Sequence, residues 1–198
     1  MLEEWLDEHG SSFPIKLPVE TRTFEGRLLG NLGMVSVPLV EQLHFARAEF
    51  RRGLWDVSDE DGARRIGPMN SIGWMVGHLA WQEERYWLRR ARNTILIPRL
   101  DEEFAYGKPA TIPVMTEVWE WWDQVIAAAD EWLIDLDMER LTQPLAEGFS
   151  SVGTFLLRNI YHYWYHLGEG MAVRQALEHQ SLPDFVGDID NQAPWRPF

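Results

Sequence analysis

Four stretches of this chain carry apolar residues at intervals of three and four, each bounded by proline, glycine or a capping residue, and that pattern commits the chain to stacking long amphipathic helices. The first runs from Ser36 to Val57, with Leu39, Leu43, Ala46, Phe50 and Leu54 on one face, Ser36 as N-cap and Pro38 in the first turn. The second opens after Gly67-Pro68, with Asn70 or Ser71 as cap, and runs to Arg92. The third spans Thr111 to Asp137 with Pro113 in its first turn, and its stripe holds Val114, Val118, Trp121, Trp122, Val125, Ala129, Trp132 and Leu136. The fourth starts at Ser150 or Ser151 and reaches Glu178, with Val152, Phe155, Leu156, Asn159, His162, Tyr163 and His166 on one face.

No strand pattern of convincing length competes, and no internal repeat or low-complexity tract is visible. The expected fold is all-α, a four-helix bundle over residues 36–178. The polar linker between the first two helices centres on Asp59-Glu60-Asp61-Gly62. The connection between the second and third, with Pro98, Gly107 and Pro109, is long enough for a crossover. Residues 1–35 are broken by Gly10, Pro14, Pro18, Gly26, Gly30 and Gly33 and read as an irregular N-terminal arm. Phe13, Ile15, Leu17, Phe24, Leu28 and Leu29 suggest that the arm docks on the body. Residues 179–198, with Pro183, Gly187, Pro194 and Pro197, read as a non-helical tail whose Phe185, Val186, Trp195 and Phe198 pack on the bundle or on a neighbouring subunit.

Composition narrows the functions. A formal charge of -13 repels phosphate backbones and anionic lipid surfaces, so neither nucleic acid nor membrane is an expected partner. No apolar run reaches the length of a membrane helix, and the acidic Met1–Glu8 start lacks the order of a signal peptide, which points to a soluble, cytoplasmic protein. With no cysteine, thiolate ligands and an internal thiol nucleophile are excluded, so any metal must use histidine or carboxylate. The 11 tryptophans imply thick aromatic layers and room for an aromatic-lined pocket, and exposed aromatic faces are compatible with a homodimer.

The six histidines are His9, His44, His78, His162, His166 and His179. His162 and His166 stand four apart on an inward-facing helical face, so both imidazoles leave the same side and can meet one ion. A hydrogen-bonded pair satisfies the same spacing. His78 sits mid-helix in the apolar run Ser71–Trp81, where a lone histidine is more often a core residue bonded to a backbone or carboxylate group. Across a bundle core it can complete a three-nitrogen site, and three protein ligands with an open position is the pattern of a catalytic zinc site. Gly73 and Gly77 would let a neighbouring helix or a ligand approach His78. His44 lies off its helix's stripe, and His9 and His179 sit in the arm and near the last helix's end, where solvated roles fit better.

Around the triad, Gln82 and Arg85 share the face of His78, and Glu169 follows His166 by three; each could orient an imidazole or hold a substrate, or simply form a surface ion pair. Trp74, Trp81 and Tyr165 are candidates to line an organic substrate's pocket. Arg89, Arg90 and Arg92 read most simply as helix C-terminal charges.

The segment Asn70–Ala80, followed by His162-x-x-x-His166-x-Gly168-Glu169, resembles the DinB/YfiT-like superfamily over residues 36–178. The resemblance implies a four-helix bundle with a long crossover. It also implies a divalent ion on His78, His162 and His166, most often zinc or nickel, with iron in some relatives. Bacillithiol S-transferases, mycothiol-dependent maleylpyruvate isomerases and the bundle domains of ergothioneine-type sulfoxide synthases are characterised relatives. The isomerases place a glutamate where this chain has a ligand histidine and carry a further C-terminal domain, and the synthases need a second catalytic domain. The transferase branch is therefore the nearest enzymatic pattern.

The leading expectation is a metal-dependent enzyme that activates a low-molecular-weight thiol or a water for a small-molecule substrate, with Glu169 as proton acceptor. Lacking cysteine, the chain would take its thiol from outside. The rival is a non-catalytic, metal-stabilised bundle acting as a stress-related binding protein. A third reading is a plain helical bundle with three core histidines.

Overall fold

A computed structural model of the chain describes residues 37–109, 111–184 and 186–196. The arm at 1–35, Ser36 as a cap, His9, and the tail residues Phe185, Pro197 and Phe198 lie outside the described residues. Among those described, the chain is all-α: α1 Pro38–Leu54, α2 Asp59–Ala63, α3 Ile72–Glu83, α4 Pro98–Glu103, α5 Met115–Leu133, α6 Met138–Thr142, α7 Val152–Ala176 and α8 Ile189–Gln192. A π-helical extension, Glu84–Arg90, continues α3 without a break. No described helix is long and apolar enough to cross a membrane.

The four long segments follow from their stripes. Leu43, Phe50 and Leu54 of α1, Val118 and Val125 of α5, and Val152 and Leu156 of α7 are fully buried. Every residue of α3 is buried, as its run of apolar and small side chains favours. α1 lies along α7, α3 lies along α5, and α3 also meets α7. Tyr86, just after α3, meets Phe155 at 4.7 Å between ring centroids, while His78 upstream in α3 meets His162 downstream in α7 at 5.1 Å. The two helices are therefore antiparallel.

Several boundaries differ from those the sequence suggests. Val37 occupies the first N-cap position and offers no side-chain bond. Ser71 and Ser151 cap α3 and α7 through their hydroxyls, which accept from Trp74 N and Thr154 N at 3.3 Å each, while Asn70 serves elsewhere. Pro113 lies ahead of α5 rather than in its first turn, and Val114, placed by periodicity on the buried stripe, is half exposed as the N-cap. The short helices α2, α4, α6 and α8 fall in stretches read as linkers or tail. Each is at most six residues, too short to show a periodic face, and two of them start from side-chain caps, Ser58 and Asp137. In the tail, Gly187 N donates to Glu49 at 2.9 Å and Ala193 O accepts from Gln42, so the tail rests on α1 through backbone groups. Trp195 is 84% exposed and takes no part in that contact.

One buried polar network joins four helices. Arg47 of α1 donates to both oxygens of Glu83 in α3 at 2.7 and 2.8 Å, and to Asp130 of α5 at 2.6 Å. Tyr163 of α7 donates to Glu83 at 2.9 Å and accepts from the indole of Trp122 in α5. Burial works against the Arg47 charge, but Glu83 and Asp130 outweigh it and raise its pKa further. Burial raises the Tyr163 pKa, and the Glu83 charge adds to the effect, so the phenol stays a donor.

Removing one partner of such a pair strands the other in the core. Glu83→Gln should destabilise the fold by about 3 kcal/mol, and Tyr163→Phe by about 1–2 kcal/mol, in urea unfolding followed by circular dichroism. A cost for Glu83→Gln no larger than that of an exposed substitution would show that the network does not hold the helices together.

Candidate metal centre

The fold brings His78 of α3 and His162 and His166 of α7 to one point. One ring nitrogen from each lies within 4.8 Å of the others. The Nε2 atoms of His162 and His166 are 2.9 Å apart. Two nitrogens on a tetrahedral zinc ion stand about 3.3 Å apart, so the cluster has the dimensions of a ligand set. His78 and His166 are buried and His162 is partly accessible, which leaves one side of the cluster open.

The outer nitrogens decide what the inner ones can do. His78 Nδ1 is 2.7 Å from the Phe104 carbonyl, which can only accept, so Nδ1 carries the proton and Nε2 keeps its lone pair. His166 Nδ1 is 2.9 Å from Glu169 Oε2, with the same consequence. His162 Nδ1 is buried with no hydrogen-bond partner among the described residues. Two imidazoles with Nε2 atoms at this separation and a lone pair already fixed on one of them need a proton or a cation between them. A divalent ion that accepts a lone pair from each of the three rings meets that need, and the neutral donor set suits it.

The electrostatics point the same way. Burial, helped by the nearby His166, pushes the His78 pKa down to about 4 against the favourable pull of the Phe104 carbonyl and Glu169. Burial, with His166 and His78 adding to it, pushes His162 down to about 3. Both rings are therefore neutral at ordinary pH, as metal ligation would require. The hydrogen bond from His166 lowers the Glu169 pKa against the effect of burial, and Asn70 contributes.

Glu169 is thus held on both oxygens: Oε2 by His166, and Oε1 by the Asn70 side chain at 3.1 Å and its backbone N–H at 3.4 Å. The remaining candidates form a wall. Trp74 stacks on His78 with ring centroids 4.5 Å apart and a 12° tilt, and Trp81 lies on its other side at 5.2 Å and 28°. Trp81 is pinned by its indole N–H to Asp101 at 3.0 Å, and the Arg85 guanidinium sits 5.0 Å from its ring. Gln82 is buried in α3, and Tyr165 is 70% exposed at the rim, edge-on to His166 at 5.2 Å. His44 and His179 stand apart, each beside an acidic residue, Asp130 and Asp61.

Two contributors escape sequence reasoning. The Phe104 carbonyl comes from the end of α4, and Asn70 holds Glu169. Gly77 is the visible trace of the first: a methyl group there would overlap the Phe104 ring, so the glycine admits the very residue whose carbonyl fixes His78.

A family model described as the DinB superfamily matches residues 42–169, well over half of the chain and inclusive of all three histidines. No curated protein matches the sequence.

Two measurements follow from this geometry. The folded His78 and His162 pKa values lie below the ordinary unfolded value of about 6.5, so the unfolded chain binds protons first on acidification. The stability of the metal-free chain should be full above about pH 6.5 and fall as pH drops toward about 4, with the slope reduced in His162→Ala; pH-dependent thermal melts after chelation read this directly. Gly77→Ala should displace Phe104 and weaken zinc or nickel binding by about tenfold or more in calorimetric titration. Unchanged affinity would show that the Phe104 carbonyl does not set the ligand geometry.

Proposed function

The chain belongs to the DinB superfamily, and on that premise we propose that it is a metal-dependent enzyme whose His78, His162 and His166 hold one divalent ion, zinc or nickel in first place and iron in third. The observation that carries this reading is the set of three converging ring nitrogens, with Nδ1 of His78 and of His166 committed as a donor to a protein oxygen. When bound, such an ion supplies Lewis-acid activation of a small thiol or a water.

The chain's own groups do the rest. Phe104 and Glu169 fix the rings of His78 and His166, so little reorganisation accompanies loading. With both carboxylate oxygens engaged and its pKa lowered, Glu169 acts as a positioning residue for His166 rather than as a free proton acceptor. Trp74 and Trp81 wall the centre against water. His162 and Tyr165 border the accessible side, where a small-molecule substrate enters. No residue of the chain supplies a thiol, so a thiol reaction draws on an exogenous low-molecular-weight thiol. The acidic surface disfavours nucleic acid and membranes as partners, and a cytoplasmic location suits this chemistry. The domain scheme that goes with this reading is an arm at 1–35, a metal-binding body at 36–178 and a tail at 179–198.

His162→Ala should abolish high-affinity zinc or nickel binding while keeping the helical circular dichroism signal, and the loaded parent should conjugate a small thiol to an electrophile or hydrolyse an activated ester faster than the variant. A variant that binds metal as tightly as the parent removes His162 from the ligand set. Stoichiometric metal with no turnover in either assay would turn the reading to a non-catalytic, metal-stabilised binding protein.

A further inference from the structure

Every described arginine but three has a hydrogen bond to a carboxylate or a backbone carbonyl, or an ion pair; the exceptions are Arg85, Arg90 and Arg158. In a chain with 31 acidic residues and 18 basic ones, carboxylates are in surplus, so three arginines left unpaired among the described residues are unexpected. Arg90 and Arg158 lie over the same Phe155 ring, at 5.4 and 5.5 Å, and Arg85 stands one π-helical turn before Arg90. Burial lowers the Arg90 pKa, and the charges of Arg85 and Arg158 lower it further, although Tyr86 opposes them.

Each guanidinium lies on an aromatic face instead of on an acid. Arg90 is 4.5 Å from the Phe149 ring and 5.3 Å from Tyr86, Arg158 is 5.5 Å from Phe155, and Arg85 is 5.0 Å from Trp81. A ring face attracts the cation but offers no conventional acceptor, so the guanidinium N–H groups remain without an acceptor among the described residues. The cluster is carried by the same pair of antiparallel helical segments as the histidines. Arg158 is one turn before His162 on α7, and both are accessible. Arg85 reaches His78 through a single intervening ring, with Trp81 5.0 Å from the guanidinium and 5.2 Å from the imidazole.

We propose that Arg85, Arg90 and Arg158 form an anion-recognition patch beside the histidine centre, which selects a small organic acid with two or more carboxylates as substrate or co-substrate. The identification of that acid as a reactant rests on the catalytic reading of the histidines; the binding of the anion does not. Guanidinium forks suit planar carboxylates, and Arg158, one helical turn from His162, would hold an acid's charged end on the accessible side of the centre. The patch also gives an otherwise acidic protein one local region that attracts an anion.

The probe is succinate, titrated into the full chain with indole fluorescence and two-dimensional NMR as readouts, and inorganic phosphate in parallel. Saturable succinate binding is expected, weakened about tenfold or more in Arg85→Gln/Arg158→Gln and by a smaller factor in Arg158→Gln alone, which lies at an exposed position and should not disturb folding. His162→Ala without metal should bind succinate as the parent does, so loss of metal binding and loss of anion binding are read separately. Phosphate bound more tightly than succinate at these arginines, a response matched by sodium chloride at equal ionic strength, or unchanged affinity in both arginine variants would overturn the proposal.

Discussion

The carboxylate of Glu83 is the fixed point of this molecule. It is fully buried, it closes a bidentate pair with Arg47, and it accepts a further bond from Tyr163. A charge so placed has no low-energy alternative to its partners, because sliding α3 by one turn would strand it in apolar surroundings. Hydrophobic stripes alone tolerate such slips at modest cost. The network therefore sets the register of α3 against α1 and α7, and with it the level at which His78 faces His162 and His166.

That register explains how much could be read from the sequence. The helical segments were legible because Leu43, Phe50 and Leu54, or Val118, Trp122, Val125 and Ala129, repeat at the period of a helix and end up buried. The His162–His166 pair was legible for the same reason, since a four-residue step puts both rings on one face. His78 was not decidable by spacing, because its partners lie more than 80 residues away and meet it through packing. The Phe104 carbonyl was invisible, since a backbone oxygen has no residue type; Gly77 carried the signal, but only as a permissive glycine among apolar neighbours.

Where the sequence misled, the cause was local geometry. Val114 fits the stripe of α5 yet sits at its N-cap, where the chain has not begun to turn. Trp195 is as apolar as the residues of a docked tail, but that tail holds α1 by backbone groups. The arginines after α3 resemble ordinary dipole-neutralising ends. Arg89 and Arg92 do find acidic partners, Asp101 and Glu131, whereas Arg90 lies over the faces of Phe149, Tyr86 and Phe155.

His162, His166 and Glu169 all ride on one short stretch of α7, and His78 alone arrives from elsewhere. That stretch behaves as a cassette. The connection after the π-helical segment reaches the centre through the Phe104 carbonyl and through Asp101, which anchors Trp81, so its exposed residues, such as Ile95 and Tyr106, can change character while the donor atoms stay where they are. The donor atoms and the most variable surface are thus carried by different parts of the chain.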